Sequence, residues 1–90
     1  MTVHFIKCAS EYYDAVRRGD KTFEARVNDR DYRVGDKVIM REFPYTNSFC
    51  VLCFEISYIL DNQDFLRPGV VILGIRDLRE IDLRKDLKFF

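Results

Sequence analysis

Five short runs of β-branched and aromatic residues, separated by turn-forming residues, constrain the fold of this chain most. They lie at residues 3–8, 21–27, 37–43, 48–60 and 70–75, with breaks at Gly35, Pro44 and Asn47. Ser10 is a candidate N-cap for one short helix reaching Arg18, and the following glycine is suited to ending it. The pattern predicts an α+β domain, a small β-barrel of about five strands with one covering helix.

Length and composition restrict the class of protein. The 90 residues leave room for one core, and 48% hydrophobic with 33% charged residues is the balance of a globular domain. The sequence has no apolar stretch long enough to span a bilayer and no signal-peptide pattern, and its three cysteines are an odd number. We therefore expect a cytoplasmic protein that does not bind membranes. Because the formal net charge is zero, any nucleic-acid site must be local.

The second run alternates between apolar and charged side chains, as a half-buried strand does. One face carries Phe23, Ala25 and Val27, and the other carries Thr22, Glu24 and Arg26. Glu24 and Arg26 would then lie side by side, an acceptor beside a planar donor. That pairing suits the edge of a nucleobase.

The same region carries the most specific motif of the chain. Residues 19–26 read G-D-K-T-F-E-A-R and match the pattern G-x-K-x-x-E-x-R, by which the chain resembles ASCH domains. These domains are similar to PUA domains and are implicated in RNA metabolism. Residues 11–16, 28–32, 34–36, 57–60 and 70–75 extend the likeness, in order, to a subfamily of short bacterial and phage ASCH-type proteins. The resemblance implies a PUA-like barrel over residues 1–76, followed by a C-terminal tail, 77–90.

The resemblance also implies a charged cleft that binds RNA or a nucleotide through Lys21, Glu24 and Arg26. We expect Arg30, Thr22 and Tyr58 to contribute to ligand binding around this cleft. Strict alternation would put Lys21 on the other face of the strand, so its place in the cleft requires an irregular start to the strand. The family pattern implies that irregularity.

An enzyme is the first alternative, because some small ASCH-type proteins are thought to be amidohydrolases acting on modified cytidine. Those proteins look to use a lysine that activates a threonine. Lys21 is retained here, but Glu24 stands where that threonine would be, and Thr22 lies two residues earlier. Lys21 and Glu24 are then the candidate catalytic residues, acting as general acid and base on a modified nucleoside or on single-stranded RNA. A phage-type inhibitor or adaptor that binds a protein partner is the second alternative.

The histidine, the cysteines and the tail allow more than one interpretation. His4, Cys8, Cys50 and Cys53 are residue types suited to zinc, but Cys50 and Cys53 should face opposite sides of a strand. We therefore predict no metal and no cofactor, with His4 as a buried structural histidine. The tail is expected to fold back over the open end of the barrel, and a docking arm for another chain is its alternative function.

Overall fold

The structure is a computed structural model that describes residues 1–45 and 49–85. Within those residues the chain forms five strands and one helix: β1 (Val3–Ala9), α1 (Ser10–Arg17), β2 (Phe23–Val27), β3 (Lys37–Phe43), β4 (Cys50–Leu60) and β5 (Val70–Asp82). The prediction of a small α+β domain with about five strands and one helix is confirmed. The described helix is too short and too polar to cross a membrane.

One curled sheet makes up the barrel, with the strand order β1-β3-β4-β5-β2. β1 runs parallel to β3, and the other three pairings are antiparallel. β1 and β2 therefore stand at the two edges of the sheet. Because the sheet curls into a half-barrel, these two edges face each other across a gap, which we call the seam.

The main hydrophobic core fills the inside of the curled sheet. It consists of Ile6, Cys8, Tyr13, Val16, Tyr32, Val38, Met40, Leu52, Phe54, Ile56, Val71 and Leu73. The helix contributes through Tyr13 and Val16, the buried side chains of its apolar face. Burying a side chain of this size contributes about 1.5–3 kcal/mol to stability, so β3, β4 and β5 form the rigid part of the domain.

A second, smaller core lies on the outer face of the sheet and explains why β5 is longer than predicted. It contains Ile39, Val51, Cys53 and Ile81, with Leu83 packed against them. The last strand was expected to end at residue 75, but it continues to Asp82 and pairs with the first residues of β4. Residues 77–82, predicted as a tail folded over the barrel, are instead part of the sheet. Asp77, with φ 57°, marks the irregularity at which the register of β4 and β5 shifts.

The other boundaries agree with expectation or differ from it by at most two residues. The helix N-cap is Ala9, without a side-chain cap, and not Ser10. The helix ends at Arg17, and Gly19 follows with φ 84°, the left-handed conformation predicted for it. β4 begins at Cys50. The predicted break at Asn47, the predicted strand start at residue 48 and the end of the tail at residues 86–90 lie outside the described residues.

His4 is buried and ties the start of β1 to the start of β3. Its Nε2 lies 2.8 Å from Oδ2 of Asp36, which also accepts from the N–H of Arg33, while Oδ1 accepts from the N–H of Thr2. Burial would raise the pKa of Asp36, but these hydrogen bonds outweigh it and the pKa is lowered. The prediction of a satisfied structural histidine is confirmed.

Candidate functional site

Side chains, and not backbone pairing, bridge the seam between β1 and β2. Arg26 Nη1 donates to the carbonyl oxygen of Lys7 at 2.9 Å, and Arg30 Nη1 donates to that of Phe5 at 2.9 Å. Phe5 and Lys7 are two residues apart, so their carbonyl groups point to the same edge of β1. The two arginines therefore satisfy acceptors on a strand edge that would otherwise be open.

Glu24 lies at this seam and is held by two cations. Its Oε1 lies 2.5 Å from Lys21 Nζ, and its Oε2 lies 3.4 Å from Arg26 Nη1. Glu24 is only 4% exposed, whereas the side chains of Lys21 and Arg26 are 16% and 26% exposed. The structure therefore brings together the three residues of the sequence motif, with the carboxylate innermost.

Lys21 reaches the cluster because β2 starts irregularly, as expected. The strand begins only at Phe23, and the N–H of Lys21 still donates to the carbonyl oxygen of Ala15 in the preceding helix at 3.1 Å. Lys21 is therefore free of strand alternation. Its Nζ also donates to the carbonyl oxygen of Phe23 at 2.7 Å, which fixes the ammonium over the start of the strand.

The faces of β2 are the reverse of what its hydrophobic pattern suggests. Glu24 is buried, while Phe23 and Val27 on the apolar face are 47% and 65% exposed. Taking a carboxylate out of water costs several kcal/mol unless cations and hydrogen bonds compensate. Lys21 and Arg26 supply that compensation, so the motif residues explain how the strand can turn its charged face inward.

A thiol adjoins the carboxylate from the β1 side of the seam. Burial raises the pKa of Cys8 to about 11, and the charge of Glu24 and a hydrogen bond to it add to the increase, while Lys21 and Arg26 oppose it. The thiol is therefore protonated at neutral pH. Because the thiolate is the nucleophile of cysteine chemistry, Cys8 is a neighbour of the site and not its nucleophile.

Two aromatic rings flank the ammonium group of the cluster. Lys21 Nζ lies 5.8 Å from the ring centroid of Tyr12 and 5.0 Å from that of Phe23. Both rings are about half exposed. They offer flat apolar surfaces at the mouth of the seam, where a planar ligand group could stack.

The remaining predicted ligand-binding residues are spread around the cluster. Arg30 is at the seam, because the β1 carbonyl group that it contacts lies two residues along the strand from the one that Arg26 contacts. Its guanidinium also lies 5.9 Å from the ring centroid of Tyr32. Thr22 is exposed, and its carbonyl oxygen accepts from the N–H of Ile75 at 3.0 Å. Tyr58 is 65% exposed and pairs with Gly74, which in turn pairs with Phe23, so it shares the outer face of the sheet with Phe23. The structure thus brings Arg30 to the cluster and puts Tyr58 on the opposite face from Glu24.

Sequence reasoning did not single out β1 as a wall of the site. Phe5 and Lys7 take part through their carbonyl oxygens, and Cys8 through its thiol. Every residue has a backbone carbonyl oxygen, so the residue types do not indicate which of these oxygens accepts a hydrogen bond at the site. The alternation of buried His4, Ile6 and Cys8 was the one signal that this strand presents Cys8 to the interior.

The described residues include no group of three or more histidine, cysteine, aspartate or glutamate side chains placed to hold a metal ion. Cys53 is buried in the outer core, where desolvation raises the pKa of its thiol.

Comparison with known protein families identifies a family to which this chain is similar. A family model described as a domain of unknown function (DUF3850) matches residues 3–75. This span contains the whole seam cluster and the first half of β5, as far as Ile75. A search of the curated proteins found no match.

Proposed function

The chain belongs to the DUF3850 family, and we propose that it is a binding module that holds a nucleotide, free or within RNA, at the seam between β1 and β2. One observation carries the proposal: a carboxylate that is 4% exposed sits between two partly exposed cations at the only edge-to-edge gap of the described sheet. As a stabilising device this arrangement is poor, because burying an ion pair rarely gains more than an apolar pair would. As a preorganised ligand site it is useful.

The three charged groups match the polar edge of a nucleotide. Glu24 can accept from an exocyclic amine once a ligand displaces one of its cations, and Arg26 and Lys21 can donate to carbonyl or phosphate oxygens. Tyr12 and Phe23 lie close enough to Lys21 to stack on a base held there. The seam would thus recognise the ligand through charge-assisted hydrogen bonds and one stacking contact.

We extend this proposal to the ASCH resemblance. The motif G-x-K-x-x-E-x-R lies at residues 19–26, and its lysine, glutamate and arginine converge at the seam. An irregular strand start at Phe23 makes that convergence possible. Both features support an ASCH-type, PUA-like barrel with a ligand cleft at the motif.

A hydrolase is the second candidate, favoured by the 2.5 Å contact between Lys21 Nζ and Glu24 Oε1. In such a pair the carboxylate can accept a proton from an attacking water molecule, and the ammonium can donate a proton to the leaving group. Thr22, the nearest hydroxyl in the motif, is exposed, and the position of the family threonine is Glu24. The candidate reaction would therefore be hydrolysis by activated water and not by a covalent nucleophile.

Isothermal titration with the four nucleoside monophosphates and a short single-stranded oligoribonucleotide tests the binding module. Lys21→Ala should weaken binding roughly tenfold, because a charge-assisted contact contributes about 1.5–3 kcal/mol. Arg33→Ala is the matched control, because Arg33 is 75% exposed and pairs only with Asp31 at the surface among the described residues. Equal affinity of the parent and Lys21→Ala for every ligand would rule out the seam as the site.

Glu24→Gln separates the module from the enzyme. The variant keeps the shape of the side chain but cannot take up a proton. A module should retain much of its affinity, whereas a hydrolase should bind and stop releasing product. Chromatography of N4-acylated cytidine and of RNA after incubation with each protein measures this directly.

A further inference from the structure

The outer face of β1 and β3 carries a slot between exposed aromatic rings. The slot has a volume of about 170 Å³ and is lined by Phe5, Ile6, Lys7, Ile39, Arg41 and Tyr45. The parallel register pairs Phe5 with Ile39 and Lys7 with Arg41, so the apolar and basic side chains stand in two adjacent rows. Phe5 and Tyr45, at 66% and 55% exposed, form its rim. We call this feature the aromatic slot.

Two cations of the aromatic slot lie against aromatic rings. Lys7 Nζ is 5.2 Å from the ring centroid of Phe43, and the guanidinium carbon of Arg41 is 5.3 Å from that of Tyr45. Phe43 and Tyr45 contact each other edge to face, with centroids 5.7 Å apart. The rings and the cations therefore form one continuous surface.

These two cations differ from those elsewhere in the sheet. Lys37 and Arg76 share Glu55, and Arg26 is paired with Glu24. Lys7 and Arg41 have no carboxylate within ion-pair distance anywhere in residues 1–45 and 49–85. In a chain with zero formal net charge, this leaves a local positive potential on an aromatic face.

Exposed rings interleaved with unneutralised cations suit one class of ligand. Each nucleotide of a single-stranded nucleic acid offers a flat base that stacks on an aromatic ring and a phosphate that pairs with a cation. An acidic peptide would use the cations but leave the rings of Phe5 and Tyr45 in water. The aromatic slot therefore fits a nucleotide better than it fits a protein segment.

Lys7 connects the aromatic slot to the seam. Its carbonyl oxygen accepts from Arg26 Nη1 at 2.9 Å, while its ammonium lies over Phe43 on the outer face. A nucleic-acid strand that leaves the seam and crosses the edge of β1 at Lys7 would therefore reach the aromatic slot at that same residue.

We propose that the aromatic slot is a second subsite, which holds the base of the nucleotide next to the one at the seam. This inference rests on the proposed function of the seam and sharpens it: the ligand is a single-stranded nucleic acid of at least two nucleotides, and a free nucleotide occupies only half of the site. Phe5 and Tyr45 stack on the base, and Lys7 and Arg41 contact its phosphate.

Titration of the parent protein with a mononucleotide and with a pentanucleotide of the same base tests the subsite. The pentanucleotide should bind at least about tenfold more tightly, as expected for one further stacked base. Tyr45→Ala should remove most of that gain and leave mononucleotide affinity unchanged, and Arg41→Ala should also lower the salt slope by about one. Phe65→Ala and Arg67→Ala are matched controls in the loop between β4 and β5, and they should change neither affinity. Ribose and deoxyribose pentanucleotides run in parallel identify the preferred sugar.

The outcomes separate this inference from the proposed function. Equal affinity for mononucleotide and pentanucleotide, with Tyr45→Ala and Arg41→Ala indistinguishable from the parent, would overturn the second subsite and leave the seam intact. If Lys21→Ala leaves mononucleotide affinity unchanged while Tyr45→Ala weakens the pentanucleotide, the seam proposal fails, and with it the inference that the aromatic slot is a second subsite beside the seam. Amide chemical-shift mapping checks the assignment, because the pentanucleotide, unlike the mononucleotide, should perturb β3 near Arg41.

Discussion

Glu24 and Asp36 are equally buried carboxylates, each 4% exposed, but they differ in what neutralises them. Asp36 accepts from His4 and from the backbone N–H groups of Thr2 and Arg33, which lie at the start of β1 and in the turn before β3. Glu24 is held by two long side chains that are partly exposed to solvent. Backbone donors cannot turn away from a carboxylate while the fold is intact, whereas side-chain cations at the surface can rotate to other staggered conformations, as an exchange for a ligand would require.

Removal of the structural carboxylate should have the largest effect. Asp36→Ala leaves His4 and two backbone N–H groups unpaired, and should lower the free energy of unfolding by about 3–5 kcal/mol. Urea denaturation followed by circular dichroism measures the loss, and Asp36→Asn, which keeps an acceptor, should lose less. Asp31→Ala is the matched control, because Asp31 is exposed and pairs only with Arg33 in the described chain. A loss below about 1 kcal/mol for Asp36→Ala would contradict the structural assignment.

Glu24, the carboxylate of the proposed site, should be dispensable for folding if its partner Lys21 is replaced together with it. The double variant Lys21→Met, Glu24→Leu keeps the Arg26 contact to Lys7 and replaces the ion pair with apolar groups. Its free energy of unfolding should lie within about 1 kcal/mol of the parent or above it, while nucleotide binding falls at least tenfold. Glu24→Leu alone should cost about 1–3 kcal/mol, because Lys21 and Arg26 then lack their partner. A large loss of stability in the double variant would make Glu24 a second structural carboxylate.

The strands of the barrel could be predicted from the sequence wherever one face is apolar and the turns are explicit. β3 was placed at residues 37–43 and is found there, between Gly35 and Pro44. β5 was predicted too short because the apolar side chains of its second half pack into two different cores. Leu78 packs against the inner core and Ile81 belongs to the outer one, so neither gives a single apolar face.

The candidate site could be predicted only in part. The motif named Lys21, Glu24 and Arg26, and the structure brings them together. The inward direction of Glu24 could not be seen, because hydrophobic alternation in β2 favours the opposite face. The role of β1 was also hidden, since it depends on the parallel pairing of β1 with β3, a contact between residues about 34 positions apart.

Replacement of Arg30, the seam-bridging arginine beside Asp29, should have a smaller effect on stability that can be measured separately. Arg30→Ala removes the donor to the carbonyl oxygen of Phe5 and should lower the free energy of unfolding by about 0.5–1.5 kcal/mol. Amide hydrogen exchange should increase in β1 more than in β4 if the arginine holds the edge strand in place. Arg33→Ala removes an exposed arginine three residues away and should change neither quantity. Unchanged exchange in β1 for Arg30→Ala would show that the seam does not depend on this bridge.

Acid titration should reveal the smallest difference. It tests Asp36, the structural one of the two buried carboxylates. The pKa of Asp36 is lowered from 3.8, because the hydrogen bonds from His4, Thr2 and Arg33 outweigh the opposing effect of burial. A carboxyl with a lowered folded-state pKa contributes stability that is present above its unfolded pKa and lost as the pH falls through the folded value. The free energy of unfolding of the parent should therefore decrease below pH 4 more steeply than that of Asp36→Asn.

Subtracting the free energy of unfolding of Asp36→Asn from that of the parent at each pH separates the contribution of Asp36 from those of the other acidic groups. Partly exposed carboxyls such as Asp14 and Glu55, whose pKa values are lowered first of all by hydrogen bonds from Arg17 and Arg76 respectively, titrate in both proteins and cancel. Above about pH 4.5 Asp36 is ionised in both the folded and the unfolded chain, so its own protonation does not bring the two unfolding curves together there. They should converge only at lower pH. Parallel curves down to pH 2 would mean that the bonds to Asp36 do not depend on its charge, and the distinction between the two buried carboxylates would then rest only on whether backbone or side-chain groups donate to them.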